Sequence, residues 1–305
     1  MLPANATQFS APTSAQRLSA IGPTNGLPTD LQKALTPEQD FQPLPPAGPM
    51  DWLANHPETG QTFDQFVVSR PNRPDSARRK LYLVPIGSFA QPGPPSLHEL
   101  IRFARAFFAI EIATLPPLDI RQEHVRSRRN ASTGETQLLT TDLLKLLRRR
   151  LPGDGFALLG ITMTDLYPDP QWNFVFGQAS LRDRVGIYSF ARYNPAFYGI
   201  KATPDANKLV LRRSCKVLAH EACHMFGIEH CIWYRCLMNG SNHLDEADAR
   251  PLHLCPVDLR KLQWSVGFDV GLRYERLLEL DQDLGFSDEA DWIAARLRFI
   301  RASHK

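Results

Sequence analysis

The stretch HEACHMFGIEHC, residues 220 to 231, holds three of the chain's nine histidines, with a glutamate directly after the first and a glycine midway between the second and third. Residues four apart on a helix lie one turn apart on the same face. His220 and His224 therefore point the same way if this stretch is helical. A helix continued to residue 230 would carry His230 through six further residues, about 240° of rotation at 100° per residue, and turn it away from the pair. The helix has to end first. Gly227 permits that, because glycine takes a left-handed C-terminal cap without steric cost and lets the chain swing back.

Three neutral imidazoles with one open position form the ligand set of a catalytic rather than a structural zinc. Zinc lowers the pKa of its bound water from about 15.7 toward 7 and polarises a carbonyl oxygen. Glu221 is one step round the helix, unsuited to be a third ligand but placed to hold that water, take its proton and pass it to a leaving amine. The chemistry predicted is amide hydrolysis without a covalent intermediate.

The rest of the composition suits such an enzyme. The chain has 305 residues, 43% of them hydrophobic, enough for a buried core of one or two domains, and a net charge of +3 that creates no dominant field. The basic runs Arg126/Arg128/Arg129 and Arg148/Arg149/Arg150 come without any nucleic-acid motif and read as solvated surface. No run of 18 apolar residues predicts a membrane span, and the N-terminus lacks the apolar core of a secretory signal. Cys215, Cys223, Cys231, Cys236 and Cys255 are odd in number and crowded beside histidines, which reads as metal chemistry in a reducing, intracellular compartment, cytoplasmic or also nuclear.

Residues 1–50 hold nine of the 25 prolines and show no apolar periodicity, so a mostly disordered leader is expected there. The folded part, 51–305, is expected to be a single domain, with an upper sheet part over 51–228 and a lower helical part over 229–305. Strands are predicted at 80–87, 156–168, 173–179 and 185–193. Helices are predicted over 94–112 (Ser96 and Glu99 as a capping box), over 140–150, and from about Lys208 to Phe226, with Leu211, Cys215, Leu218, Ala222 and Met225 on its core face. The remainder is helical, with Ser287 capping the last helix. The fold class is α+β, a mixed sheet with helices followed by a small helical part.

The eleven-residue pattern HExxHxxGxxH resembles that of the metzincin metalloproteases, and Met238 in CLMNGSNH sits where their methionine turn would pass. With Cys231 directly after His230, then Cys236 and Cys255, the chain looks like the archaemetzincin family. The similarity runs from GITMTDLYPDPQWNFVFGQASLRDRVGIYSFARY to CLMNGSNHLDEADARPLHLCP, covers about residues 51–280 and leaves the leader out. It implies a metzincin (zincin-like) fold, with a twisted mixed sheet above an active-site helix and a helical C-terminal subdomain, and a zinc peptidase acting on small peptides. It also implies that an extended substrate pairs with an edge strand, for which Asn173, Phe174, Val175, Phe176 and Gly177 are candidates.

In that family four cysteines hold a second, structural zinc. Here the last pair reads CPVD, so Asp258 stands where the fourth thiolate is expected. A carboxylate oxygen is an acceptable zinc ligand, and His253 is the alternative. Cys215 and Cys223 read as small buried apolar residues, and His56, His98, His124, His243 and His304 as surface residues. Tyr193 and Tyr234 are possible transition-state stabilisers. The competing function is a non-catalytic scaffold held by zinc, against which the intact Glu221 argues, since a scaffold needs no general base.

Overall fold

The computed structural model describes residues 9–37, 40–87, 95–201 and 203–302. The chain forms two compact units, Asn72–Phe226 and a discontinuous one made of the residues up to Pro71 together with those from Gly227 onward.

Asn72–Phe226 carries a sheet of β1 (Lys80–Ile86), β2 (Glu111–Thr114), β5 (Gly155–Thr162), β7 (Gly177–Ser180) and β8 (Val185–Ser189), in the order β2-β1-β5-β8-β7. All pairings are parallel except β7 with β8. Every residue of β5 and β8 is buried, which is why these strands read as unbroken apolar runs rather than alternating ones. A smaller sheet joins β3 (Ser127–Arg129), β4 (Thr136–Leu139) and β6 (Asp165–Tyr167). Between these strands in sequence lie α5 (Leu97–Phe108) and α6 (Thr140–Arg150), and α7 (Pro204–Met225) follows the last of them. Leu143, Leu146 and Leu147 of α6 share a core with Val84, Ile86, Leu158, Val185 and Ile187. A second core is aromatic, with Phe156 and Phe108 each against Phe226 at ring distances of 4.5 and 5.7 Å.

Several boundaries differ from expectation: the run expected as one strand over 156–168 is split into β5 and β6, which belong to different sheets, and the strand expected over 185–193 ends at Ser189. The helix expected over 94–112 stops at Phe108, because Ala109 takes a left-handed φ of 52°, and residues 111–114 form β2 at the sheet edge instead. The strand expected over 173–179 is regular only from Gly177; Val175 makes a lone bridge to Leu166.

The other unit contains α1 (Ser14–Ile21), α2 (Thr29–Leu35), α3 (Trp52–Asn55), α4 (Phe63–Val68), α8 (Leu244–Ala249), α9 (Pro256–Val266), α10 (Val270–Asp283) and α11 (Ser287–Arg301). The expectation of a disordered leader over 1–50 is corrected for its described residues. Thr13 and Gln16 form a reciprocal capping box that starts α1. Ala20, Ile21, Leu31, Ala34, Leu35 and Phe41 are buried. The fully buried Arg296 of α11 donates to the carbonyls of Lys33, Ala34 and Thr36 at 2.6, 3.0 and 2.6 Å, and Arg260 of α9 donates to that of Ile21 at 2.5 Å. Apolar residues this sparse give no periodic pattern, yet they dock because helices from the far end of the chain supply the partners. The unit boundary falls at 226/227 rather than 228/229, and residues 51–71 belong with the helical unit rather than with the sheet. The basic runs are partly spent on ion pairs and carbonyls: Arg126 with Asp142, Arg150 with Glu123, and Arg128 with the carbonyls of Pro170 and Asn173.

Candidate metal centres

Thr203 caps α7, accepting from the amide of Ala206 at 3.1 Å, and the predicted core face Leu211, Cys215, Leu218, Ala222 and Met225 is buried throughout. The opposite requirement, two imidazoles facing together, follows from the same geometry. His220 and His224 bring their Nε2 atoms to 3.2 Å of each other with the rings at 89°. Two nitrogens bound to one tetrahedral zinc at 2.0–2.1 Å stand about 3.3 Å apart, so the pair fits that ion. After the cap at Phe226, Gly227 turns with φ 78°, and a Cβ there would come within 2.9 Å of Pro71 Cβ. Along the segment 220–230, one ligand nitrogen each of His220, His224 and His230 lies within 4.8 Å of the others.

Glu221, half-buried beside His220, has the fully buried Tyr188 among its electrostatic neighbours. Burial pushes the Tyr188 phenol well above its ordinary range, and the Glu221 charge adds to the effect. That phenol is neutral at physiological pH.

The second cluster is Cys231, Cys236, Cys255 and Asp258, all buried, with one donor atom of each within 4.8 Å of the rest. Asn239 shapes the loop that carries the first two. Its Oδ1 accepts from the Cys236 amide at 2.8 Å, and its Nδ2 donates to the carbonyls of Cys231 and Tyr234 at 2.8 and 2.9 Å. Cys255 precedes α9 and Asp258 lies in its first turn. The sulfurs of Cys231 and Cys255 are 3.5 Å apart, and Asp258 Oδ2 is 3.3 and 3.6 Å from those of Cys236 and Cys255. Thiolates at 2.3 Å and a carboxylate oxygen at about 2.1 Å on a tetrahedral zinc would stand about 3.6–3.8 Å apart. The set fits to within a few tenths of an ångström.

Electrostatics point the same way. Burial pushes the Asp258 carboxyl up to about 7, the neighbouring Cys231 adds to this, and Lys261 Nζ, 2.9 Å from Oδ1, opposes it. Burial also pushes the Cys236 and Cys255 thiols up. Burial would raise Cys231 too, but hydrogen bonds with Cys236 and Cys255 hold it well below the ordinary thiol range. Four groups that are anionic when deprotonated face the Lys261 ammonium, an excess of negative charge that a divalent cation would largely, though not fully, offset.

His253, the alternative fourth ligand, lies outside the cluster. Its ring stacks on Trp292 at 3.5 Å and 5°, and its Nδ1 faces Glu289 at 3.4 Å. Met238 is buried, and its carbonyl accepts from the Cys231 amide at 2.8 Å. Cys215 and Cys223 are buried in α7, outside both clusters. Tyr193 stacks on Phe176 at 5.0 Å, and Tyr234 is buried beside the cysteines, where burial pushes its phenol up to about 12. Of the edge-strand candidates, Gly177 starts β7, whereas the Asn173 carbonyl is occupied by Arg128, Asn130 and Gln137. Among residues expected at the surface, His243 caps α8 and His56 packs on Trp52 at 4.1 Å; His304 lies outside the described residues. Two neighbours of the clusters had no sequence signature, Lys261 beside Asp258 and Glu58 beside His230.

Comparison with known proteins gives these clusters a family. The model of peptidase family M54 matches residues 119–264. Archaemetzincin-2 of Macaca fascicularis is 41% identical over 282 residues, 83% of this chain and 78% of the relative, and archaemetzincin-2 of Homo sapiens matches to the same extent. A crystal structure of an archaemetzincin from Methanopyrus kandleri is 29% identical, covering 64% of this chain and 99% of that one with a TM-score of 0.47. Identity of this depth along most of both sequences means that the chain belongs to the archaemetzincins, peptidase family M54, and is a metallopeptidase.

Proposed function

We propose that the chain is a zinc-dependent peptidase in which His220, His224 and His230 hold the catalytic zinc and Glu221 is the general base. The observation that carries this is the convergence of three imidazole nitrogens within 4.8 Å, with a carboxylate next to the first of them in sequence. When bound there, zinc supplies Lewis acidity toward water and toward the scissile carbonyl. Glu221 accepts the proton of the attacking water on its carboxylate and returns it to the departing amide nitrogen. The neutral Tyr188 among its neighbours brings no positive charge that would weaken Glu221 as a base.

A second zinc bound by Cys231, Cys236, Cys255 and Asp258 has a structural role, because all four residues are buried. Three of the ligands are thiols, which supports a reducing, intracellular setting, cytoplasmic or nuclear. The substrates are small peptides, paired by their main chain along β7, the outer strand of the sheet, against which α7 packs. The motif and its methionine also support placing the chain among the metzincins.

The deciding experiment compares wild type with Glu221→Gln. The variant should keep its full zinc content and lose roughly 10²–10⁴-fold in peptide cleavage. Cleavage at the wild-type rate would remove Glu221 from the mechanism. Elemental analysis should count two zinc equivalents per chain, and one equivalent would contradict the second site.

A further inference from the structure

The third imidazole is held by a part of the chain that lies far from the histidine motif in sequence. Glu58 Oε1 stands 2.9 Å from His230 Nδ1 and also accepts from Trp52 Nε1 at 2.8 Å. An ionised carboxylate only accepts hydrogen bonds. The histidine nitrogen that faces it therefore carries the proton, and the lone pair is left on Nε2, the nitrogen then free to ligate a metal. Both side chains are about three-quarters shielded, with 22% and 26% exposure, so little water competes for this contact.

The surrounding contacts restrict the ring further. The Trp52 indole meets the His230 ring edge-on at 5.1 Å and 80°. It also fills the space over Gly240, where a Cβ would come within 2.3 Å of the indole. Gln61 fixes the loop on either side of the histidine. Its Nε2 donates to the Gly227 carbonyl at 3.2 Å, its Oε1 accepts from the Glu229 amide at 3.3 Å, and its carbonyl accepts from Trp233 Nε1 at 3.3 Å. Residues 52–61 thus bracket the loop 227–233, and Glu58 among them contacts Nδ1 of its histidine.

We propose that Glu58 is a positioning residue for the catalytic zinc: it locks His230 as the Nδ1–H tautomer with Nε2 free to ligate, and Trp52 Nε1 in turn fixes the carboxylate. This rests on His230 being a zinc ligand. Carboxylates behind ligand imidazoles fix tautomer and orientation, and their loss costs roughly 10–100-fold in metal affinity.

The test uses the full chain as wild type, Glu58→Ala, Glu58→Gln and His230→Ala, with two readouts. Zinc affinity is measured by competition with a chromophoric chelator. Imidazole nitrogen shifts are recorded on the metal-free protein at about pH 8, where unperturbed histidines are neutral. Glu58→Ala should loosen zinc about 10–100-fold and shift His230 toward the Nε2–H tautomer. Glu58→Gln retains an acceptor oxygen and should restore most of both, which a merely structural role would not explain. Wild-type zinc affinity and an unchanged His230 tautomer in Glu58→Ala would overturn the positioning role. Wild-type zinc affinity in His230→Ala would instead overturn the ligand assignment beneath it, so the two failures are distinguishable.

Discussion

Lys261 Nζ lies 2.9 Å from Asp258 Oδ1, with 1% and 0% of the two side chains exposed. The ammonium occupies one carboxylate oxygen, and the other faces the sulfurs of Cys236 and Cys255. Asp258 therefore offers its neighbours a single oxygen, which is what a tetrahedral site takes from each ligand. Lys261→Met should leave a buried carboxylate without its counter-ion, a loss of about 3–5 kcal/mol when no cation compensates it. Urea unfolding with and without a strong chelator checks this. The loss should be clearly smaller in zinc-loaded protein, and equal losses in the two states would argue against zinc on Asp258.

Gly227 is the second test. An L-residue at φ 78° costs about 1–2 kcal/mol, and a Cβ there is also 2.9 Å from Pro71 Cβ. Gly227→Ala should lower stability by at least that amount and weaken zinc retention with it, because the turn returns His230 to the pair. Thermal unfolding and zinc content measured on the same preparation decide whether the two losses go together.

Arg296 connects α11 to the residues after α2 through the carbonyls of Lys33, Ala34 and Thr36. Arg296→Met keeps the apolar bulk and removes these bonds. The expected loss is about 3 kcal/mol, the upper end for a hydrogen bond to a charged group. Limited proteolysis should then cut first between residues 9 and 50, whereas an unchanged cleavage pattern would mean that the segment is held mainly by its apolar contacts.

Tyr188 gives a prediction of opposite sign. Its hydroxyl is buried without a hydrogen-bond partner among the described residues. A buried unsatisfied group is costly, so Tyr188→Phe should be neutral or stabilising by up to about 1 kcal/mol. A destabilisation beyond that by calorimetry would mean that the hydroxyl has a partner, such as a buried water.

The clusters differ in how much of them could be read from the sequence, and the difference follows chain separation. His220, His224 and Gly227 are linked by helix geometry alone, and the fit of the imidazole pair follows from a spacing of four. Asp258 was legible as a stand-in for a thiolate, but the choice between it and His253 needed three dimensions, since Trp292 and Glu289 draw the histidine away. Glu58 lies 172 residues from His230, and no periodicity reports a pairing at that distance. The N-terminal helices were missed for a different reason. Proline content dominates the stretch, although Thr13-x-x-Gln16 carries the same sequence pattern as Ser96-x-x-Glu99 and closes both bonds of the box, whereas at Ser96 the side chain accepts from the Glu99 amide. The end of α5 had no cue at all, because Ala109 adopts a left-handed conformation that alanine does not advertise.

The discontinuity of the helical unit also governs how the polypeptide is made. As the ribosome extends the chain, Leu31, Leu35 and Phe41 emerge well before α9 and α11, the elements that will cover them. Residues 72–226 are continuous in sequence and carry their own packing partners, while the stretch ahead of them lacks its partners until the last helix is translated. Such intervals expose nascent chains to aggregation, so chaperone demand during biosynthesis should fall on this early segment rather than on the sheet.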